Sequence, residues 1–179
     1  MSADDVEVLR VVGEHLGGHA RADLAERVRI GRVPVKDNRR AERKRSLTKV
    51  SSSRWAGSVT RAGEDQYQLS LRCLFDERTS LRRTTTKISQ RLAVPCGQRM
   101  GGVRGYPSPG ERAEKQCRLQ VLTARLAEVE RRIEAGHPAI VVGGRRLAKK
   151  RHNLADAGLT ESEWQERWDA QRLFLTADC

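Results

Sequence analysis

Two long apolar stripes, separated by a segment unfavourable for helix, constrain the fold of this chain most. The first stripe follows a spacing of three and four residues, with Arg78 and Thr85 at the remaining positions: Leu71, Leu74, Leu81, Ile88 and Leu92. The second follows the same spacing without interruption: Leu119, Leu122, Leu126, Val129 and Ile133. Each stripe forms one face of an α-helix, and that face must be covered by another helix.

The segment between the stripes predicts how the two helices are connected. Residues 94–110 read VPCGQRMGGVRGYPSPG, with three prolines and several glycines, which end helices and favour turns. We therefore expect a mainly α protein, built on an antiparallel, coiled-coil-like hairpin of helices over 69–92 and 111–135. Residues 93–110 form its basic loop.

Shorter elements are expected before the hairpin. Residues 4–16 and 20–28 predict two short helices, because Gly17 and Gly18 lie between them. Gly31 and Pro34 then indicate a linker. Residues 39–49 follow with six cations and one acid, a block typical of a solvated face or an interaction arm.

Further elements are expected after the hairpin. Four apolar residues at 139–142 lead into Gly143 and Gly144 and predict a short strand, and a second strand is expected near 173–176. Residues 145–154 predict a short basic helix. Thr160 and Glu163 have the spacing of a capping box, which predicts a last helix with Trp164 and Trp168 on one face, in the core.

The charge of the chain indicates the class of its partner. The formal net charge is +12, from 35 Lys and Arg against 23 Asp and Glu. Such an excess favours a polyanion through counterion release, and nucleic acid is the commonest such partner. The alternative is a basic protein whose charge only keeps it in solution. Aromatic residues are 4% of the chain, so contacts with the nucleic-acid backbone are expected to dominate over base stacking.

The stretch GGRRLAKKRHNL, residues 143–154, is the densest basic segment next to a glycine turn. A nucleotide-binding P-loop requires a second, correctly spaced glycine and a Lys-Ser/Thr pair, and this stretch has neither. A clamp on a nucleic-acid backbone and a solvated helix face both remain open.

The residue patterns do not support catalysis, metal binding or membrane insertion. Asp65, Asp76 and Glu77 have no nucleophile or general base at a catalytic spacing, and the four cysteines have no metal-ligand spacing. We expect no enzyme activity, no cofactor and no metal. No stretch approaches the roughly 18 apolar residues of a membrane span, and the acidic start is unlike a signal peptide. A cytoplasmic protein, associated with the nucleoid or not, is expected.

The candidate binding residues are basic side chains expected to contact phosphates. Arg54 and Trp55 are weaker candidates, Trp55 for base stacking or, alternatively, as an anchor into the next helix. The basic candidates are Arg78, Arg82 and Arg83 on the first hairpin helix, Arg104 in the loop, and Arg145, Arg146, Lys149, Lys150 and Arg151 after the Gly-Gly turn.

Three stretches resemble a known family. They are SSSRWAGSVTRAGEDQ, the segment from RLAVPCGQRMGG to ERRIEAG, and GGRRLAKKRHNLADAGLTESEWQERWDAQRLFLTAD. Over residues 50–178 they are similar to the N-terminal half of TnpB-type, transposon-encoded RNA-guided nucleases and the related compact type V CRISPR effectors of bacteria. The order of the last features carries most of the likeness: Ala135-Gly136, Val141-Val142, Gly143-Gly144, Arg145-Arg146-Leu147, Gly158-Leu159, Glu163-Trp164 and Trp168.

The resemblance implies a helical recognition lobe that holds a guide RNA and the RNA–DNA heteroduplex by their backbones. It divides the chain into an N-terminal helical segment and linker (1–36), the recognition-lobe-like hairpin (37–136), and a basic helix, a Trp-containing helix and the start of a wedge-like barrel (137–179). The RuvC-like nuclease domain and the cysteine-bound zinc of the family have no counterpart here. The expected function is therefore binding of structured RNA, RNA–DNA hybrid or DNA without cleavage, by a truncated product or a stand-alone module.

Two other functions remain open from the residues alone. Helices within 145–173 could serve a small DNA-binding transcriptional regulator. The long hairpin could instead be a protein–protein interaction module.

Overall fold

The protein is mainly α-helical, as the sequence predicts. The computed structural model describes residues 2–33 and 39–176. Over these residues the chain forms helices α1 (Ala3–Ile30), α2 (Arg39–Val50), α3 (Ser53–Ala93), α4 (Pro109–Ala135), α5 (Arg145–Lys150) and α6 (Glu161–Ala170), and strands β1 (Arg99–Met100) and β2 (Val103–Arg104).

The chain divides into two compact units. The first, here called the terminal unit, combines Met1–Leu69 with Ala139–Cys179, and the second, the hairpin unit, is Ser70–Pro138. Helix α3 supplies residues to both.

The apolar stripes pair in the hairpin unit. Leu74 and Leu81 of α3 form a buried cluster with Val129 and Ile133 of α4, and partly buried leucines complete it: Leu71, Leu122 and Leu126. The predicted helical hairpin is therefore confirmed. Helix α3 is longer than predicted: it begins at Ser53, 16 residues before the expected start at residue 69.

The two strands lie in the loop of the hairpin. Arg99 faces Arg104 and Met100 faces Val103 in an antiparallel pair. Gly101 and Gly102 connect them with φ values of 53° and 82°, a conformation that suits glycine in a two-residue β-turn. Tyr106, which follows, is buried, and the Arg91 guanidinium lies 4.1 Å above the centre of its ring.

The strands predicted at 139–142 and 173–176 are wrong. Both segments are irregular. A strand requires a neighbouring strand for its hydrogen bonds, whereas the Phe174 N–H donates to the Gly13 carbonyl oxygen of helix α1 at 3.0 Å. A contact with helix α1 thus takes the place of sheet formation at residues 173–176.

The prediction of two short N-terminal helices is also wrong, since α1 is continuous through Gly17 and Gly18. A Cβ on Gly17 would lie 2.4 Å from the Arg172 carbonyl oxygen. Glycine costs a helix about 1 kcal/mol relative to alanine but does not end it. Gly17 therefore allows the backbone at Arg172 to approach α1 closely, and it does not end the helix.

The C-terminal helices pack around Trp164. Helix α5 ends at Lys150, four residues before the predicted end, and turns follow. Thr160 and Glu163 form the predicted capping box of α6. Trp164 is 2% exposed and its Nε1 donates to the Leu147 carbonyl oxygen at 2.8 Å, while Trp168 is half-buried and stacks on it at 5.4 Å. The expected core position of Trp164 is confirmed.

The glycine pair in α1 gives a matched test of this packing. We expect Gly17→Ala to destabilise the protein by roughly 1–3 kcal/mol, because the added methyl group meets the Arg172 backbone. Gly18→Ala meets nothing closer than 4.0 Å and should stabilise it by about 0.5–1 kcal/mol through helix propensity. Urea unfolding of the two variants measures both free energies. Equal effects would contradict the close approach at Gly17.

Candidate nucleic-acid interface

The segment after the Gly-Gly turn presents a cluster of cations on the terminal unit. Gly143 and Gly144 have φ values of 98° and 85° and lead directly into α5. Leu147 is the buried residue of this helix. The five predicted binding residues on either side of Leu147 in the sequence are all exposed. We call them the α5 cluster: Arg145, Arg146, Lys149, Lys150 and Arg151.

Within the described part of the chain, no acidic side chain neutralises the α5 cluster. Among residues 2–33 and 39–176, no carboxylate forms a salt bridge with any of its five cations. The Arg145 Nη2 donates to the Ala139 carbonyl oxygen at 2.5 Å, and the Arg151 guanidinium lies 5.2 Å from the centre of the Trp164 ring. These contacts position two arginines without removing their charge. The positive potential of the cluster is therefore available to a phosphate backbone.

Three other predicted residues lie on α3 in the hairpin unit, in different environments. The Arg78 guanidinium lies 4.9 Å from the centre of the Phe75 ring. The Arg82 Nε donates to Glu130 of α4 at 3.0 Å, so its charge is already paired. Arg83 is exposed and forms no ion pair within the described part of the chain.

Arg104 and the pair Arg54 and Trp55 complete the predicted set. Arg104 is exposed on β2 opposite Arg99, so the strand pair carries two adjacent cations. Arg54 and Trp55 lie in the first turn of α3, where the Ser52 hydroxyl accepts from the Trp55 backbone N–H at 3.1 Å. The Trp55 side chain is partly buried. The α5 cluster brings five of the predicted residues together within residues 145–151, and Arg78, Arg82 and Arg83 form a smaller group on α3.

A buried ion-pair network in the terminal unit was not predicted. The Arg43 side chain of α2 is 8% exposed, and its Nε donates to Asp23 of α1 at 2.9 Å. The Arg27 Nε donates to Glu64 of α3 at 2.7 Å, and the Arg43 Nη2 lies 3.8 Å from the same carboxylate. The network therefore joins three helices through charged side chains.

Arg27 also secures the end of α1. Its Nη1 donates to the Gly31 carbonyl oxygen at 2.8 Å, and the Tyr67 hydroxyl donates to the same oxygen at 3.0 Å. The Arg27 guanidinium lies 3.5 Å from the centre of the Tyr67 ring. A cation stacked on an aromatic ring and hydrogen-bonded on its edge is held in one orientation. The contacts of Arg27 with Gly31 and Tyr67 therefore give this arginine a structural role.

The sequence offered little signal for this network. Arg43 stands among similar cations, and the pattern of residues 39–49 indicates a solvated face or an interaction arm. The interpretation as a solvated face is wrong for Arg43, because its partners Asp23 and Glu64 lie about 20 residues away on either side. The partly buried Leu47, one turn after Arg43, is the one indication that this side of α2 faces the protein.

The pKa values of the two carboxyl groups of the network are shifted in opposite directions. Burial raises the pKa of Asp23, and this outweighs the opposing charge of Arg43. Burial also raises the pKa of Glu64, but hydrogen bonds from Arg27 and Gln68 outweigh it, so the pKa lies below its ordinary value. Asp23 is thus the strained member of the network, and its Oδ2 has no hydrogen-bond partner within the described residues.

Removing the buried arginine should destabilise the protein strongly. We expect Arg43→Ala to lower the free energy of unfolding by roughly 3 kcal/mol, because Asp23 would remain buried without its cation. Arg45→Ala removes an exposed cation of the same helix and should change it by less than about 0.5 kcal/mol. Urea unfolding monitored by circular dichroism compares them. Similar small effects would show that the network contributes little.

The lowered pKa of Glu64 predicts a pH dependence. A carboxyl with a lowered folded-state pKa stabilises the fold above its unfolded value, near 4.5, and this contribution is lost as the pH falls through the folded value. Glu64→Gln should therefore be less stable than the parent at neutral pH, and the difference should shrink below pH 4.5. Thermal unfolding across pH measures this, and a constant difference would contradict it.

Over the described residues, no helix is both long and apolar enough to cross a membrane. In the same residues, no three His, Cys, Asp or Glu side chains come together in a group that could hold a metal ion.

Comparison of the chain with protein-family models, with curated proteins and with solved structures finds no match in any of the three.

Proposed function

We propose that this chain binds structured nucleic acid through the phosphate backbone and does not cleave it. The observation that carries the proposal is the α5 cluster, five exposed cations without a carboxylate partner among the described residues. In the proposed role the chain is the recognition-lobe-like module of a TnpB-like, transposon-associated RNA-guided nuclease. A guide-like RNA, an RNA–DNA hybrid or DNA is the partner, in the cytoplasm or the nucleoid.

The chemistry of the α5 cluster favours backbone contacts over base contacts. Arg145, Arg146 and Arg151 can each give two parallel hydrogen bonds to phosphate oxygens. Trp164 is buried, and Trp168 stacks on it, so these aromatic rings are used in packing. A surface of this kind recognises the shape and charge of a folded strand, while base pairing supplies sequence specificity.

The hairpin unit contributes a second basic surface to the proposal. Arg83 on α3 and Arg99 and Arg104 on the strand pair are exposed. Arg82 contributes less, since Glu130 neutralises it. We assign phosphate contacts to Arg83 and Arg104 on this ground. Arg54, Trp55 and Arg78 are secondary contacts in the same proposal.

Salt dependence tests the proposal directly. Filter binding of structured RNA, RNA–DNA hybrid, duplex DNA and single strand, over a salt series, should show preference for the first two. The double variant Lys149→Ala, Lys150→Ala should weaken binding and reduce the slope of log K against log salt by about one unit for each lost phosphate contact.

A matched control carries the same change of net charge. Arg10→Ala, Arg29→Ala removes two exposed arginines that are paired with Glu7, Glu14 and Glu26, and it should leave the slope nearly unchanged. Equal slopes for the two double variants, or weak binding to every polymer, would overturn the proposal. Sequence-specific binding to duplex DNA by a dimer would favour a transcriptional regulator instead.

A further inference from the structure

A cavity opens within the terminal unit, on the side of α1 that Gly17 marks. Its volume is about 420 Å³. Residues of α1 and α3 line it together with the irregular segments 140–144 and 172–174. A volume of this size is in the range of small-molecule sites, roughly 300–1,000 Å³. The two segments where strands were expected therefore form walls of a cavity.

The walls combine an apolar surface with a few polar groups. The large apolar side chains come from α1 and from both segments: Leu24, Ile140, Val142, Leu173 and Phe174. The polar side chains are Arg21, Gln66 and Arg172. Small-molecule sites have this composition, since apolar walls supply most of the contact and a few polar groups fix the orientation.

The two arginines come close together at one end of the cavity. The Arg21 Nη1 donates to the Arg172 carbonyl oxygen at 2.9 Å. The Arg172 Nε is buried and has no acceptor among the described residues. Burial lowers the pKa of Arg21, the charge of Arg172 lowers it further, and Asp169 opposes them. The Arg172 guanidinium lies 5.2 Å from the centre of the Trp168 ring, and both arginines line the cavity, so two like charges and an unused donor lie at its wall.

The two nearby carboxylates have other partners. Glu14 and Asp169 lie beside Arg21 and Arg172 in an adjoining cleft. Within the part of the chain that the structure describes, Glu14 pairs with Arg10 and Asp169 accepts from Gln165 at 2.7 Å. Neither forms a salt bridge with Arg21 or Arg172. An anion in the cavity would relieve the repulsion and accept from both guanidinium groups.

We propose that the cavity binds a nucleotide, with its phosphate between Arg21 and Arg172. The apolar walls would cover the sugar and base, and the Gln66 amide would reach a base edge. The choice of a nucleotide over other phosphate esters rests on the proposed nucleic-acid function. Its source is either the terminal nucleotide of a bound strand or a free nucleoside monophosphate.

Isothermal titration calorimetry measures how much the phosphate and the nucleoside each contribute to the affinity. The probes are inorganic phosphate, a nucleoside, its 5′-monophosphate, and a short oligonucleotide with a 5′-phosphate or a 5′-hydroxyl. We expect the 5′-monophosphate to bind at least about tenfold more tightly than the nucleoside or phosphate alone, because both halves of the site are then filled. Preference for the 5′-phosphorylated oligonucleotide over the mononucleotide identifies a strand end, and equal or weaker binding identifies a free nucleotide.

Variants at two residues that line the cavity test the location. Arg172→Met should weaken nucleotide binding about tenfold by removing one cation, and Ala20→Leu should do so by filling the space without changing charge. Arg29→Met, an exposed arginine that is paired with Glu26 and lies outside the cavity lining, is the matched control and should bind as the parent does. Circular dichroism establishes that each variant is folded.

The outcomes distinguish this inference from the proposed function. Nucleotide binding no tighter than phosphate binding, or unaffected by both cavity variants, overturns the cavity site whatever the result with structured RNA. Nucleotide binding that both cavity variants weaken supports the site even if Lys149→Ala, Lys150→Ala leaves RNA binding unchanged. In that case the backbone proposal fails alone, and the oligonucleotide comparison still decides between a strand end and a free nucleotide.

Discussion

The burial of Arg43 against Asp23 is the interaction on which the arrangement of α1, α2 and α3 depends. Arg43 is the buried residue of α2, so this helix is held by a charged contact in place of an apolar face. A guanidinium removed from water requires a partner, and a misplaced helix would leave both charges unpaired. Separating Arg43 from Asp23 therefore costs much free energy, although the ion pair itself adds little net stability to the fold. Gly63 makes the contact possible, because a Cβ there would lie 2.5 Å from the Asp23 Oδ2.

The arginines of this chain consequently serve different purposes. Arg27 and Arg43 are used inside the terminal unit. Arg10, Arg29 and Arg82 are exposed but paired with glutamates. The α5 cluster lacks such partners in the described residues. Net charge alone does not reveal this division, since every arginine counts equally in the sum of +12. The pairing pattern indicates which cations remain available to a polyanion.

The sequence predicted features that depend on local patterns. The hairpin followed from periodic leucines, such as Leu74 and Leu81, and the α6 cap from Thr160 and Glu163. Features that depend on distant residues were missed. Gly17 resembled a helix end because its neighbour, residue 172, is remote in sequence. The exposed candidates of the α5 cluster were identified from composition, but their lack of ion pairs, and the cavity, required the three-dimensional arrangement.

The contact between α1 and residues 172–174 has a consequence for the order of folding. Phe174 donates to Gly13, so the terminal unit joins segments separated by nearly the whole chain, whereas the hairpin unit is continuous in sequence. Closing such a long loop carries an entropy cost that local pairing does not. During synthesis the hairpin unit can complete its leucine core while the terminal unit still lacks its last helices. On a ribosome-bound chain the hairpin would therefore be formed while the surface of α1 that contacts residues 172–174 is still uncovered.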